Sequence, residues 1–318
     1  MATLEEAVTA TLFDQSADIA DQVTHHSPVL TALEDEGNIR RVDGGYELRK
    51  TVLYNDSAQG SWFAGYGSFN LDSIEELTAF RFAIKQCYEP LSISGRERRA
   101  NRGEERLLDL VEEKMKGSIA RIKNTVSTSL RSDGTGSGGL ELDGLKKAIS
   151  TSPTSGTYGG VDRSVNTWAR NVAVNTVLTA ANVQETVTDT LSRITRGSDM
   201  ATLGICDRTA WKFLHSSMTA IQRISAPIKK GSSGFRALEY DGCSFVFDGG
   251  FGSAELETNS IRLLNTKYFT FDMVRGADFK PLADQMVRPA DQDAYFSVIL
   301  LEGNLCCAAP ALQAVIYT

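Results

Sequence analysis

The chain has 318 residues, is 42 % hydrophobic and 23 % charged, and carries a formal net charge of −7. That is the composition of a globular protein with a real core, which excludes disorder and collagen-like order, and the acidic balance argues against a dedicated nucleic-acid binder. No run of about 18 apolar residues occurs, and the opening MATLEEAVTATLFDQ places acidic residues where a secretory leader needs a basic flank and an apolar block. The expectation is a soluble protein made in the cytoplasm. The five cysteines, Cys87, Cys206, Cys243, Cys306 and Cys307, are odd in number and lack a C-x-x-C spacing, so they read as buried thiols of a reducing compartment.

Along the chain, Ser16 opens a turn carrying Ile19 and Val23, and Ser27 with Pro28 restarts a helix that bears Val29, Leu30 and Leu33 and closes at Gly37. Residues 39–54 have turn glycines at 44 and 45 and alternation through Tyr46, Leu48, Lys50, Val52 and Tyr54, which is strand grammar. After the polar tip NDSAQGS comes WFAGYGSFNL, with Trp62 and Tyr66, so 39–72 is predicted as a long two-stranded arm. An isolated hairpin is marginal in water, so this arm needs another surface, and that of a second subunit would serve. Residues 78–94 read as one strand. In 101–134, Leu108, Val111, Met115, Ile119, Ile122 and Val126 recur at steps of three and four, one apolar stripe of a long spine helix.

The run RERRANRGEER (96–106) mixes five arginines with three glutamates. It reads either as a solvated helix start with internal pairs or as a subunit contact in which Arg98, Arg99 and Arg102 fork carboxylates of a neighbour, such as Glu75 or Glu76. DGTGSGGLELDG marks a boundary, and residues 140 to about 260 alternate short helices and strands. Within TSPTSGTYGGVDRSVNTWARN (151–171), Gly159 and Gly160 predict a sharp turn. Asp162 and Arg163 offer a charge pair and Trp168 an aromatic anchor, a set that pins a loop to its own domain or to a neighbour. Asn182 with Glu185 suggests a capping box, Asp207 a cap for a helix bearing Trp211, Leu214, Met218 and Ile221, and Asp241-Gly242 a hairpin turn. The last stretch, AYFSVILLEGNLCCAAPALQAVIYT, reads as strands with a turn near Gly303 and Asn304 that rejoin the sheet of the spine.

No set of side chains for catalysis emerges. Gly134, Gly136 and Gly139 match G-x-G-x-x-G in letters only, because they follow a helix instead of a strand. IKKGSSG lacks the order of a phosphate loop, and His25, His26 and His215 have neither metal spacing nor a partner base. No cofactor, metal or catalytic residue is expected.

In the order arm, hairpin, strand, spine helix, mixed domain and returning strands, with WFAGY (62–66), ISGRE (93–97), GGVDRSVNTWARN (159–171), LNTKY (264–268) and EGNL (302–305), the chain resembles tailed-bacteriophage major capsid proteins of the Hong Kong 97-like fold. The resemblance implies an α+β protein with an N-terminal arm (1–38), an extended loop (39–72), a peripheral domain with the spine helix (73–139), an axial domain (140–265) and a return to peripheral strands (266–318). It implies self-assembly into hexamers and pentamers of an icosahedral head, formed in the host cytoplasm around double-stranded DNA held without sequence-specific binding. Implied partners are a portal protein, a decoration protein and, because the arm is short, a separate scaffolding protein; no membrane is implied. Trp62, Tyr66, Arg98, Arg99, Arg102, Asp162, Arg163 and Trp168 are the candidate contact residues. Lys50 lies on the hairpin, but no acidic catalyst or acceptor Asn for a covalent crosslink is identifiable. The alternative is an encapsulin-type nanocompartment shell, which resembles the same fold.

Overall fold

The computed structural model describes residues 27–55, 62, 65–66, 75–100, 104–218, 237–248, 256–282 and 286–318. In chain order its elements are helix α1 (Pro28–Asp35), strands β1 (Ile39–Val42), β2 (Glu47–Leu53), β3 (Leu77–Ala83) and β4 (Lys85–Ser94), then helices α2 (Gly95–Ala100), α3 (Glu104–Arg131) and α4 (Leu145–Ala148). There follow β5 (Thr157–Tyr158), β6 (Val161–Asp162), β7 (Val172–Asn175), α5 (Val183–Ile194), β8 (Leu203–Cys206) and α6 (Arg208–Ser217). The chain closes with β9 (Ala237–Tyr240), β10 (Cys243–Phe247), β11 (Ile261–Leu264), β12 (Phe269–Pro281), β13 (Ala294–Cys307) and β14 (Ala314–Tyr317).

Proline in the first turn and the apolar trio Val29, Leu30 and Leu33 set α1, as expected. The spine helix α3 also forms where its period places it. Its 28 residues span about 42 Å at 1.5 Å per residue, and Val111, Met115, Ile119, Ile122, Val126 and Leu130 are buried; the side chain of Leu108 lies outside the described set. This stripe lies against the face of β4 that carries Leu91 and Ile93. β4 is the edge of a four-stranded sheet ordered β1-β12-β13-β4.

A second sheet has six strands, ordered β7-β14-β11-β8-β10-β9. Helices α5 and α6 pack on one face with Cys206, Phe245, Ile261 and Ile316, while Leu203, Ile205, Val246 and Val315 face the core shared with α3. Because both faces are covered, β8 and β11 are buried at every position and show no alternation. The buried Arg131 at the end of α3 joins this sheet by pairing with Asp248 just past β10, with Nε 2.9 Å from Oδ2.

Five strand expectations need correction. Residues 39–54 do not make one strand: Gly44 and Gly45, at φ +99° and +126°, break it, and β1 pairs in parallel with β12 while β2 enters the arm. The arm joins β2 to β3, from Glu47↔Ala83 out to Leu53↔Leu77, so its return strand lies beyond residue 72. Residues 78–94 are likewise two strands in different sheets, split at Ile84. β13 passes straight through Gly303 and Asn304, and the glycine is there for closeness, since a Cβ would come 2.4 Å from the Asp272 carbonyl oxygen on β12. Finally, β14 joins β11 and β7 in the six-stranded sheet instead of returning to the sheet of the spine.

Capping also differs from expectation. Asp207 caps α6 by accepting from the Thr209 N–H at 3.0 Å, whereas Asn182 turns back to accept from Thr179 N–H and donate to Val177 O, so no box forms with Glu185. The box sits instead at Ser94 and Glu97: the Ser94 N–H donates to the Glu97 carboxylate at 3.0 Å and the Glu97 N–H donates to Ser94 Oγ at 3.2 Å. Asp241 and Gly242, both at positive φ, make the tight β9–β10 turn as expected. The turns at Ser16 and the glycine-lysine run at 228–234 lie outside the described residues.

Candidate assembly surface

The stretch 151–171 forms a clamp on the base of the arm. Gly159 and Gly160, at φ +55° and +77°, make the two-residue turn between β5 and β6. The turn lies so close to β3 that a Cβ on Gly159 would sit 2.8 Å from Phe80 Cδ1, and the Gly159 carbonyl accepts from Arg81 N–H at 2.8 Å. Tyr158 is fully buried between Phe80 and Phe82, with ring centres 5.8 and 5.2 Å away. Its hydroxyl accepts from Cys307 N–H at 3.0 Å, which ties the turn to the end of β13. Burial pushes the Cys307 thiol up to about 12 and the Tyr158 hydroxyl well above its ordinary value.

Arg163 does not pair with Asp162. Its guanidinium turns inward and donates to the carbonyls of Lys147 (3.1 Å), Ala148 (2.6 Å) and Ala169 (3.2 Å), with the Tyr158 ring centre 4.8 Å away. The first two are C-terminal carbonyls of α4, which have no partner inside that helix. Asp162 faces solvent and accepts from the Ser164 N–H at 2.7 Å; Ser164's hydroxyl and then its amide hold the carboxyl below the usual range. Trp168 is the anchor expected of it. Its ring centre lies 5.3 Å from Phe80 and 5.6 Å from Tyr54, so the loop is pinned to this chain's own arm.

Several apolar side chains on and beside the described arm are not covered by the clamp. Leu53 and Leu77, directly opposed across β2 and β3, are 71 % and 64 % exposed, and Tyr46, Trp62 and Tyr66 are fully exposed. A second apolar area lies beside it on the four-stranded sheet. On β4, Tyr88 and Pro90 point away from α3 and are exposed; across from them on β13, Leu300 and Val298 are half-buried. Phe296, two residues along β13, bridges to the exposed Val287 and extends the patch. Contiguous apolar surface of this kind marks an interaction site.

Two arginines of the run, Arg98 and Arg99, are engaged within the chain. Arg98 lies 4.6 Å over the Tyr295 ring, and Arg99 pairs with Asp293 at 2.9 Å, so each reaches the start of β13 rather than its own helix. Arg102 lies outside the described residues, and Glu75 and Glu76 are exposed. Lys50 pairs at 2.6 Å with the buried Asp272 of β12, which holds the arm base to the sheet. Neither Tyr158 nor the Tyr88 patch stood out in the sequence, and the S-x-x-E signal of the true capping box was present in ISGRE. Among the described residues, no three His, Cys, Asp or Glu side chains gather as a metal site, and no helix is long and apolar enough to cross a membrane. Four of the five cysteines are buried and Cys87 is partly so.

No family model and no curated protein sequence matches the chain. Solved structures do: the capsid of cyanophage A-1(L) superposes with a TM-score of 0.59 at 13 % identity, covering 88 % of this chain and 89 % of that one. The capsid of a native GTA particle gives 0.59 at 10 % identity, covering 88 % of each chain. The chain has the Hong Kong 97-like fold. A SrpI encapsulin from Synechococcus elongatus has a TM-score of 0.52 at 10 % identity, covering 92 % of this chain and 88 % of that one. Within the Hong Kong 97-like fold of this chain, the clamp, the arm and the open sheet patch all lie on or beside the four-stranded sheet.

Proposed function

We propose that the chain is the major capsid protein of a tailed bacteriophage, which assembles into the hexamers and pentamers of an icosahedral head around double-stranded DNA. The observation that carries this reading is the match to cyanophage and GTA capsids over 88 % of the chain at a TM-score of 0.59. The uncovered arm and open sheet patch support it, because a shell is closed by heterologous contacts in which one surface of each subunit fills a different surface of the next. In this reading β2–β3 is the extended loop and the four-stranded sheet with α3 is the peripheral domain. The six-stranded sheet with α5 and α6 is the axial domain, which then includes the chain's last strand.

Trp62, Tyr66, Leu53 and Leu77 meet the neighbour, while Arg163 and Trp168 act indirectly by fixing the arm's base. Arg98, Arg99 and Asp162 lie at the rim of such contacts. The role is structural, without turnover, and the protein's place is the virion, after assembly in the host cytoplasm with a scaffolding protein, a portal and a decoration protein. Negative-stain microscopy of the purified protein, alone and with a co-expressed scaffolding protein, tests this: closed shells with rings of five and six are expected. Subunits that stay monomeric under both conditions contradict it, and shells that hold a protein cargo in place of DNA favour the nanocompartment.

A further inference from the structure

The net charge of −7 averages over an uneven chain. From Arg208 to Arg236 there is no acidic residue, while Arg208, Lys212, Arg223, Lys229, Lys230 and Arg236 are all basic. At the start of that run, α6 shows how its charge is presented. Ala210 and Leu214 are buried and Trp211 and Phe213 pack on the same core, so this face of the helix is held against the six-stranded sheet. Arg208, Lys212 and His215, at i, i+4 and i+7, form the opposite crest, and all three are exposed. Ser216 is exposed beside them and Thr209 is half-buried.

None of the three basic side chains is tied down. Elsewhere exposed cations find carboxylates, as Arg193 does with Asp189 at 2.8 Å on α5 and Lys267 with Asp199 at 2.6 Å. No carboxylate among the described residues pairs with Arg208, Lys212 or His215. Asp207, their neighbour in sequence, is buried and accepts from the N–H groups of Thr209 and Asn259 at 3.0 Å each. Such a crest suits a polyanion. Arginine and lysine, with serine and threonine hydroxyls, are the side chains that contact phosphate oxygens. The length of about 10 Å from Arg208 to His215 covers about three nucleotides at 3.4 Å of rise each. A protein partner fits less well, because such an interface is anchored by buried aromatic side chains, and those of α6 are committed to the chain's own core.

We propose that the outward face of α6, through Arg208, Lys212 and His215, binds the phosphate backbone of duplex DNA without reading its sequence. The proposal rests on the capsid reading for the source of the DNA, but binding is measured on free subunits, so absence of shells and absence of DNA binding are separate results. Fluorescence anisotropy of a short labelled duplex, titrated with the full chain at several salt concentrations, is the test. Affinity should fall as salt rises, equally for unrelated sequences. Arg208→Gln with Lys212→Gln should weaken binding about ten-fold or more and lower the slope of log K against log salt by about two, with the melting temperature unchanged. The duplex should also slow acylation of Lys212 in the wild type several-fold. Full-strength binding by the double variant, loss only on changing Arg223, Lys229 and Lys230 to Gln, or no binding at low salt overturns the proposal. Polyglutamate that competes as well as DNA at equal charge assigns the face to an acidic protein and overturns it as well.

Discussion

The six-stranded sheet and the arm share strand grammar but end in opposite states. The sheet is covered on both faces, so β8 and β11 bury every side chain within one chain. The arm has two strands, and although Trp168 holds it as far out as Tyr54 it leaves Leu53 and Leu77 in water. Two strands alone are marginal, so what keeps the arm formed is the clamp: Trp168 and Tyr158 on Phe80, and Lys50 on Asp272. The contrast separates two tasks. Residues that fold the chain are concentrated in the six-stranded sheet and the spine, while in the proposed function the residues that join subunits sit on the arm and on the open patch at Tyr88.

The comparison is broken most severely at the clamp. Gly159→Val adds a branched side chain at φ +55° against Phe80, and strain plus overpacking should cost about 3 kcal/mol. Protease nicking should begin within 47–83 and shells should be lost, while the near-ultraviolet signal of the six-stranded sheet persists; intact arms in that variant would refute the clamp. Deleting 55–61 should abolish shells but leave the melting temperature of the free subunit unchanged, because the tip is not needed to fold. Normal particles from the deletion would show the tip to be dispensable.

Smaller effects sharpen the boundary. Ser94→Ala removes the hydroxyl half of the capping box that starts α2, at a cost of about 1 kcal/mol, read as a drop of roughly 2 °C in melting temperature. Its pH dependence has a definite sign. The Ser94 backbone N–H, followed by Lys114, holds the Glu97 carboxyl below its ordinary value, so the stabilisation is present above about pH 4.3 and is lost as pH falls through the lowered value. The gap between Glu97→Gln and wild type should therefore narrow in acid, and a constant gap would show that the Glu97 charge is not involved. Smallest on folding is Arg98→Glu with Arg99→Glu: exposed pairs with Asp293 and Tyr295 contribute a few tenths of a kcal/mol each. Assembly yield at low and high salt decides their role, and wild-type yield at low salt confines these arginines to contacts within the subunit.

Local pattern made α3, α1 and the Asp241-Gly242 turn legible, because each depends on residues a few positions apart. What failed depends on distant partners. Nothing around Ile84 signals that the chain changes sheets there, since no glycine or proline stands within 78–89. The parallel pairings of β1 with β12 and of β14 with β7 join segments more than a hundred residues apart. Arg163 looked like a partner for its neighbour Asp162, yet the carbonyls that claim it end a helix fifteen residues earlier. The patch around Tyr88 and Val298 is visible only once β4 and β13 are side by side.

Amide hydrogen exchange, compared between free subunits and assembled particles, tests the division between folding and joining surfaces most directly. Protection gained on assembly should fall on β2, β3 and the edge strand β4, while β8, β11 and β14 are already slow in the free subunit and do not change. Gains confined to the six-stranded sheet, with the arm exchanging equally fast in both states, would contradict it.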